Sequence, residues 1–347
     1  MTLLVVSVLL LYGCKKSNAT TVEKAFYYWK SAYYDGFGHA EDSVLHAQKA
    51  QKVYIKFFEV RRDETLGNIP EAKTQLMFYD SSWSKPDMFD SISFVPSIFI
   101  RNEVFLKSSH TEIDTLAANV NFLIEKFCRE KFKNRKPNEY QIDCDWTPKS
   151  RDNYFYFLNR LKATSNKTLS CTLRLYPYKY PEKMGVPPVD KAMLMCYNLI
   201  GPFDNQDKNS VLDNDELASY LNTDNKYPMH LDIALPIFSW AHVYHNDRFN
   251  SLIYPGQGIV SAVLKPTKPL WYEVQKDTVV DGVYLRIGDK VKYEQITAEK
   301  VNHAIEIIKK YVPLDNKVTV TLFHLDQNTA TDYTNEQIAR FYSDLGN

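Results

Sequence analysis

Apolar residues along this chain gather in short runs, most of them followed by a stretch of helical periodicity. The extended runs lie at 25–29, 53–60, 94–101, 139–146, 169–176, 192–199, 231–240 and 318–325, and β-branched and aromatic side chains dominate them. Helical patterning predicts helices near 43–51, 111–131, 151–163, 213–221 and 335–345. The second is the clearest, with Leu116, Val120, Leu123, Ile124 and Phe127 on one stripe. A polar loop at 61–73 and a Pro-rich loop at 176–190 stand where further helices would fall. Eight alternating units predict the α/β class and a (β/α)8 TIM barrel.

After the seventh run the pattern breaks. Residues 241–296 are too many for a simple connection. Short extended runs at 259–264, 270–275, 282–287 and 290–294, with Gly288-Asp289 as a turn, predict a small mostly-β insertion before a helix at 298–311 resumes the barrel. The N-terminus is different again. Residues 3–11 form an apolar stretch too short to span a bilayer, followed by Leu11-Tyr12-Gly13-Cys14. This resembles a bacterial lipobox, although no basic residue precedes the apolar stretch. The expected organisation is a signal peptide over 1–13, a lipid on Cys14, a tether over 14–22, and the barrel over 23–347.

The chemistry concentrates in Tyr140-Gln-Ile-Asp-Cys-Asp-Trp-Thr147. Alternation on a strand places Asp143 and Asp145 on one face, roughly 6–7 Å apart, with Ile142, Cys144 and Trp146 opposite. Like charges that close perturb a pKa, hold a cation or grip a polar ligand. An exposed edge strand is the bland alternative, and the apolar neighbours oppose it. In a barrel the pair falls at the C-terminal end of strand four, where such folds build their sites. By the same parity Arg174 and Tyr176 face inward on strand five, and Met195 and Tyr197 on strand six. Phe238 and Trp240 close strand seven, and strand two offers Lys56 or Glu59 according to its parity. An inward Arg174 needs an acid, with Asp143 and Asp145 the nearest partners.

Lys plus Arg and Asp plus Glu balance at 42 each, which argues against a nucleic-acid partner. The 24 tyrosines and 5 tryptophans suit sugar stacking, though they also fill cores. Cys128, Cys144, Cys171 and Cys196 lack ligand spacing and read as small buried hydrophobes. His242 and His245 lack a nearby third ligand and read as loop residues. Asp213-Asn-Asp215-Glu216 reads as a helix N-terminus, not a calcium loop. No phosphate loop, zinc motif or nucleophile elbow is present, so no cofactor and no metal is implied.

The rim residues resemble those of family-18 glycoside hydrolases, the chitinases and endo-N-acetylglucosaminidases. That family carries D-G-x-D-x-D-x-E on strand four, matched here by Asp143-Cys-Asp145-Trp146, and M-x-Y-D on strand six, similar to Met195-Cys-Tyr197-Asn198. The chain also looks like lipoproteins of Bacteroidetes-type bacteria that carry such barrels. The resemblance implies that Asp145 and Tyr197 hold an acetamido group, with Asp143 beside them. It implies that Gln141, Arg174, Tyr176, Asn198, Phe238 and Trp240 contact a glycan. The chain departs from the pattern at its acid: the glutamate that protonates the leaving oxygen is replaced by Thr147, and threonine is no general acid near neutral pH. Tyr140 and Gln141 replace the first Asp-Gly.

Two functional readings follow. In the preferred one, an envelope lipoprotein hydrolyses glycans, some containing N-acetylglucosamine, with a substitute acid such as Asp143, Asp145 or Glu59. In the other it binds glycans without cleaving them. A structural or assembly role on the same scaffold is a third. The expected location is the bacterial cell envelope, membrane-anchored through Cys14. Lys15-Lys16 offers no acidic run that would favour surface export, so a periplasm-facing anchor is preferred.

Overall fold

A computed structural model describes residues 20–30, 33–78, 91–223 and 226–346. The expected signal peptide, Cys14 and most of the tether lie outside the described residues. Eight parallel strands form a closed barrel: β1 (Thr21–Tyr28), β2 (Lys52–Asp63), β3 (Ser93–Ile100), β4 (Glu139–Asp143), β5 (Thr168–Leu173), β6 (Lys191–Met195), β7 (Leu231–Pro236) and β8 (Lys317–Phe323). Closure is made twice over by β1, which pairs with β8 through Thr21↔Lys317 to Phe26↔Leu322 and with β2 through Ala25↔Lys52 to Tyr28↔Ile55. The predicted fold is therefore the observed one, a TIM barrel with an additional β-sheet.

Its helices follow the predicted stripes. His110–Lys131 begins with a capping box, Ser109 and Glu112 each accepting from the other's backbone N–H, and it buries Ile113, Leu116, Val120, Ile124 and Phe127. Ala298–Tyr311 starts at the Thr297 cap and buries Val301, Ala304, Ile305 and Ile308. Residues 61–73 differ from the expected loop. β2 runs on to Asp63 and turns back through Gly67–Glu71 as an antiparallel hairpin. The Pro-rich segment also holds two short helices, Leu175–Lys179 and Pro181–Met184.

The barrel interior is polar at its N-terminal floor. Lys52 lies 2.7 Å from Glu23 and 3.5 Å from Glu139, while Lys191 lies 3.0 Å from Glu139 and 2.9 Å from Asp232. Thr319 closes the ring, donating its hydroxyl to Glu23 at 2.8 Å and its backbone N–H to Asp232 at 2.7 Å. Alternating signs let each buried charge meet its opposite. One layer higher, Tyr27 and Ser97 donate to the Gln141 carbonyl oxygen at 2.7 and 3.0 Å.

Between β7 and the helix Ala298–Tyr311, five antiparallel strands form a second sheet: Trp240–His245, Arg248–Ile253, Leu264–Lys268, Trp271–Val274 and Lys290–Glu294. One face buries its own core of Ala241, Val243, Ile253, Val274, Val291 and Tyr293. Residues 259–264, expected as a strand, lie mostly in the helix Gln257–Val263. A short apolar run is ambiguous between the two states, and Gly256 ahead of it is free to cap a helix. His242 and His245 are strand residues, not loop ones. The first is fully buried, and the second meets Asp289 at 2.7 Å.

Candidate functional site

Most strands end short of the apolar runs that predict them, four of them by three residues or more. β4 stops at Asp143, β5 at Leu173, β6 at Met195 and β7 at Pro236, so most of the expected rim residues stand on the turns beyond. Asp143, the last residue of β4, is partly buried, and Thr172 donates to it at 2.6 Å. Asp145 is half exposed, and Arg174 grips it at two points, Nε to Oδ1 at 2.6 Å and Nη2 to Oδ2 at 3.1 Å.

This division separates two acids of one motif. Burial, with the Asp145 charge adding to it, pushes Asp143 up to about 6. No cation stands within salt-bridge distance of Asp143 among the described residues. Of the two acids expected as partners for Arg174, Asp145 is the one it pairs with, because Arg174 lies past the end of β5. Asp143 is thus the carboxyl suited to carry a proton near neutrality. Asp145 is held in place by the Arg174 guanidinium.

Thr147, at the family's acid position, is turned to local work. Its backbone N–H donates to Ser150 Oγ at 2.9 Å, its carbonyl accepts from Arg151 at 2.9 Å, and Ser150 in turn bonds Asn102. The position belongs to the turn that starts the helix Arg151–Ser165. Glu59, another proposed acid, is held by Lys56 at 2.8 Å and lies 3.7 Å from Arg101. A bulge between Lys56 and Phe58 settles the strand-two parity, turning both Lys56 and Glu59 to one side.

Two cavities open at the rim, and Asn198 and Trp240 line both. One, of about 500 Å³, is walled by Trp29, Phe238, Phe323 and His324. The other, of about 370 Å³, is walled by Arg174, Tyr176, Tyr197 and Tyr220. Both fall in the size range of small-ligand sites. The Tyr197 ring is buried, stacked on Phe323 at 5.0 Å and edge-on to Phe238 at 6.3 Å. Its hydroxyl and the Asn198 side-chain carbonyl are buried with no hydrogen-bond partner in the protein. Asn198 holds a left-handed backbone, φ +52°. Tyr176 is exposed on the short helix after β5, its ring 4.8 Å from that of Tyr180.

Three expected residues do not line either cavity. Gln141 is fully buried in the layer below, Asp143 bonds Thr172 and lies within electrostatic reach of Tyr197, and Asp145 reaches the second cavity through Arg174. The parity argument missed Trp29, Phe323 and His324 at the ends of β1 and β8; the same alternation, continued along those strands, would have found Trp29 and Phe323 but not His324, which follows Phe323 directly. It also missed Glu294. This carboxylate is fully buried, pairs with the equally buried Lys292 at 2.6 Å, accepts from Ser210 Oγ at 2.6 Å, and receives the Trp240 indole N–H. Glu294 thereby fixes the one aromatic that walls both cavities. Among the described residues no cluster of ligating side chains could hold a metal ion.

No protein-family model and no curated protein matches the chain. Solved structures do match it. The spore cortex-lytic enzyme SleL of Bacillus cereus is 13% identical, covering 95% of this chain and 75% of its own, with a TM-score of 0.52. SleL of Bacillus megaterium is 12% identical over 92% of this chain and 75% of its own, with a TM-score of 0.54. A family-18 chitinase of Cycas revoluta, solved with a tetramer of N-acetylglucosamine, is 11% identical over 93% of this chain and 99% of its own, at a TM-score of 0.47. At such identities the likeness is one of fold, the (β/α)8 barrel.

Proposed function

We propose that this barrel grips a glycan, with N-acetylglucosamine as the preferred unit, in the paired rim cavities. We further propose that it does so as a lipoprotein of the bacterial envelope, anchored through Cys14 and facing the periplasm. The observation that carries the reading is the pair of partnerless polar groups, the Tyr197 hydroxyl and the Asn198 carbonyl, set among Trp240, Phe238 and Phe323. Aromatic walls with a few convergent polar atoms suit an uncharged polyhydroxylated ring. Arg174 is occupied by Asp145, which leaves little free positive charge for a phosphate.

A hydrolytic reading rests on one further observation, that Asp143 accepts from Thr172, has no ion-pair partner among the described residues, and is pushed up to about 6 by burial and the Asp145 charge. Its proton would replace that of the absent family glutamate. The two readings part in one experiment. Calorimetric titration with chitooligosaccharides measures binding, and reducing-end release from the same sugars measures turnover. Tyr197→Phe should weaken binding roughly tenfold, the loss of one good hydrogen bond. Turnover by wild type that disappears in Asp143→Asn supports hydrolysis, whereas binding without turnover supports a grip alone. Neither binding nor turnover on chitin-type or high-mannose sugars removes both readings and leaves the scaffold role.

A further inference from the structure

The insertion sheet has a second face, opposite its small core. Along its first strand this face carries Trp240, His242 and Tyr244, and the pairings of His242 and Trp271 with Lys292 place Trp271 on the same side. The rings form a continuous row with Phe249 between them. Centroids lie 5.6 Å apart for Trp240–His242, 6.1 Å for His242–Phe249, 6.0 Å for Phe249–Tyr244 and 5.3 Å for Tyr244–Trp271. The near end is Trp240 at the barrel rim. At the far end Tyr244 and Trp271 line a separate cavity of about 490 Å³, which shares no lining residue with the two rim cavities.

This hollow is built without help from a ligand. Gln206 holds both aromatics, accepting from the Tyr244 hydroxyl at 3.4 Å through its side chain and from the Trp271 indole N–H at 3.1 Å through its backbone carbonyl. The Lys268 ammonium lies 5.3 Å from the Trp271 ring centroid, on the end of an exposed side chain. The π-face is therefore reachable from solvent, and the electropositive C–H face of a sugar can take the place of the ammonium. The charges narrow the ligand class. Each cation of the cavity has an anion, Lys268 with Asp207 at 3.4 Å and Lys290 with Asp247 at 2.6 Å, and Glu273 adds a further acid. No cation is left over for a phosphate, sulfate or uronate, while carboxylates, an amide and the Thr267 hydroxyl ring the cavity with hydroxyl-bonding groups.

We propose that the Tyr244–Trp271 hollow is a second, non-catalytic binding site for a neutral sugar unit of a glycan. It does not rest on the rim reading: either site can exist without the other. The test is carried by the indole N–H resonances of the 15N-labelled full-length protein, assigned by single Trp→Phe substitutions. Tetraacetylchitotetraose and mannotetraose are the neutral probes, and tetragalacturonate is the anionic one. The Trp271 resonance should shift saturably with at least one neutral probe and still do so in Trp240→Ala. Tyr244→Ala should weaken that response roughly tenfold, the scale of one lost stacking partner. Lys268→Ala changes only an exposed side chain and uncovers the ring, so it should bind the neutral probe more tightly. A Trp271 signal unmoved by both neutral sugars, or moved only by tetragalacturonate, overturns the proposal. So does a Lys268→Ala protein that binds more weakly. Failure of the rim site is read separately, at the Trp240 resonance.

Discussion

Arg174 closes a two-point ion pair on Asp145 and leaves Asp143, two residues earlier, to the hydroxyl of Thr172. The exposed acid is fixed in that ion pair, while the partly buried one is raised by burial and by the Asp145 charge and is able to keep its proton.

The stability of the protein should report that difference. A carboxyl whose folded pKa is raised stabilises fully below its unfolded pKa, near 4, and that contribution is lost as pH rises through about 6. Asp143→Asn keeps the shape and removes the charge. Urea unfolding should find it equal to wild type at pH 4 and more stable by about 1–3 kcal/mol at pH 8. A difference independent of pH would show that Asp143 titrates normally.

The floor of the barrel should behave in the opposite sense. Burial would raise Asp232, but His230 and Lys191 outweigh it and hold the carboxyl down to about 2. Its stabilisation is present above pH 4 and lost as pH falls toward 2. Asp232→Asn leaves Lys191 half-served in the interior and should cost about 3 kcal/mol at pH 7, with less acid sensitivity below pH 4. Sugar binding at the opposite end of the barrel should survive, which calorimetry on the folded variant will check.

Glu294→Gln probes the link between the insertion and the rim. Losing the charge strands Lys292, which is fully buried, so the variant should be destabilised by about 3–5 kcal/mol. Adding Lys292→Met should recover much of that loss by removing the orphan charge. Rim binding should stay impaired in the double variant, since the anion that anchors the Trp240 indole is still missing. Full recovery of both stability and binding would mean that Trp240 is placed by packing alone.

The lipid anchor is tested by metabolic labelling with a fatty-acid probe. Wild type should take up label and Cys14→Ser should not, with folding unchanged because the first barrel strand begins at Thr21. A labelled Cys14→Ser protein would end the lipoprotein proposal.

The alternation of strand and helix was written in the chain. Runs such as 53–60 and 318–325 are apolar and β-branched because a barrel strand is buried on both sides, and the stripe of Leu116, Val120 and Ile124 had one place to go. So was the acidic strand, since Asp143 and Asp145 interrupt such a run. Other features had no local signal. Where each strand ends was decided by turns and helix starts at the rim, and this moved Arg174 outward onto Asp145. The bulge at Phe57 turned both Lys56 and Glu59 inward, against simple alternation. Glu294 and Trp240 are 54 residues apart in sequence, and only the antiparallel pairing of Trp240–His245 with Lys290–Glu294 in the insertion sheet brings them into contact. Periodicity records which face of an element is buried. It does not record which distant charge waits there, because that pairing is a property of closure and packing and not of any one segment.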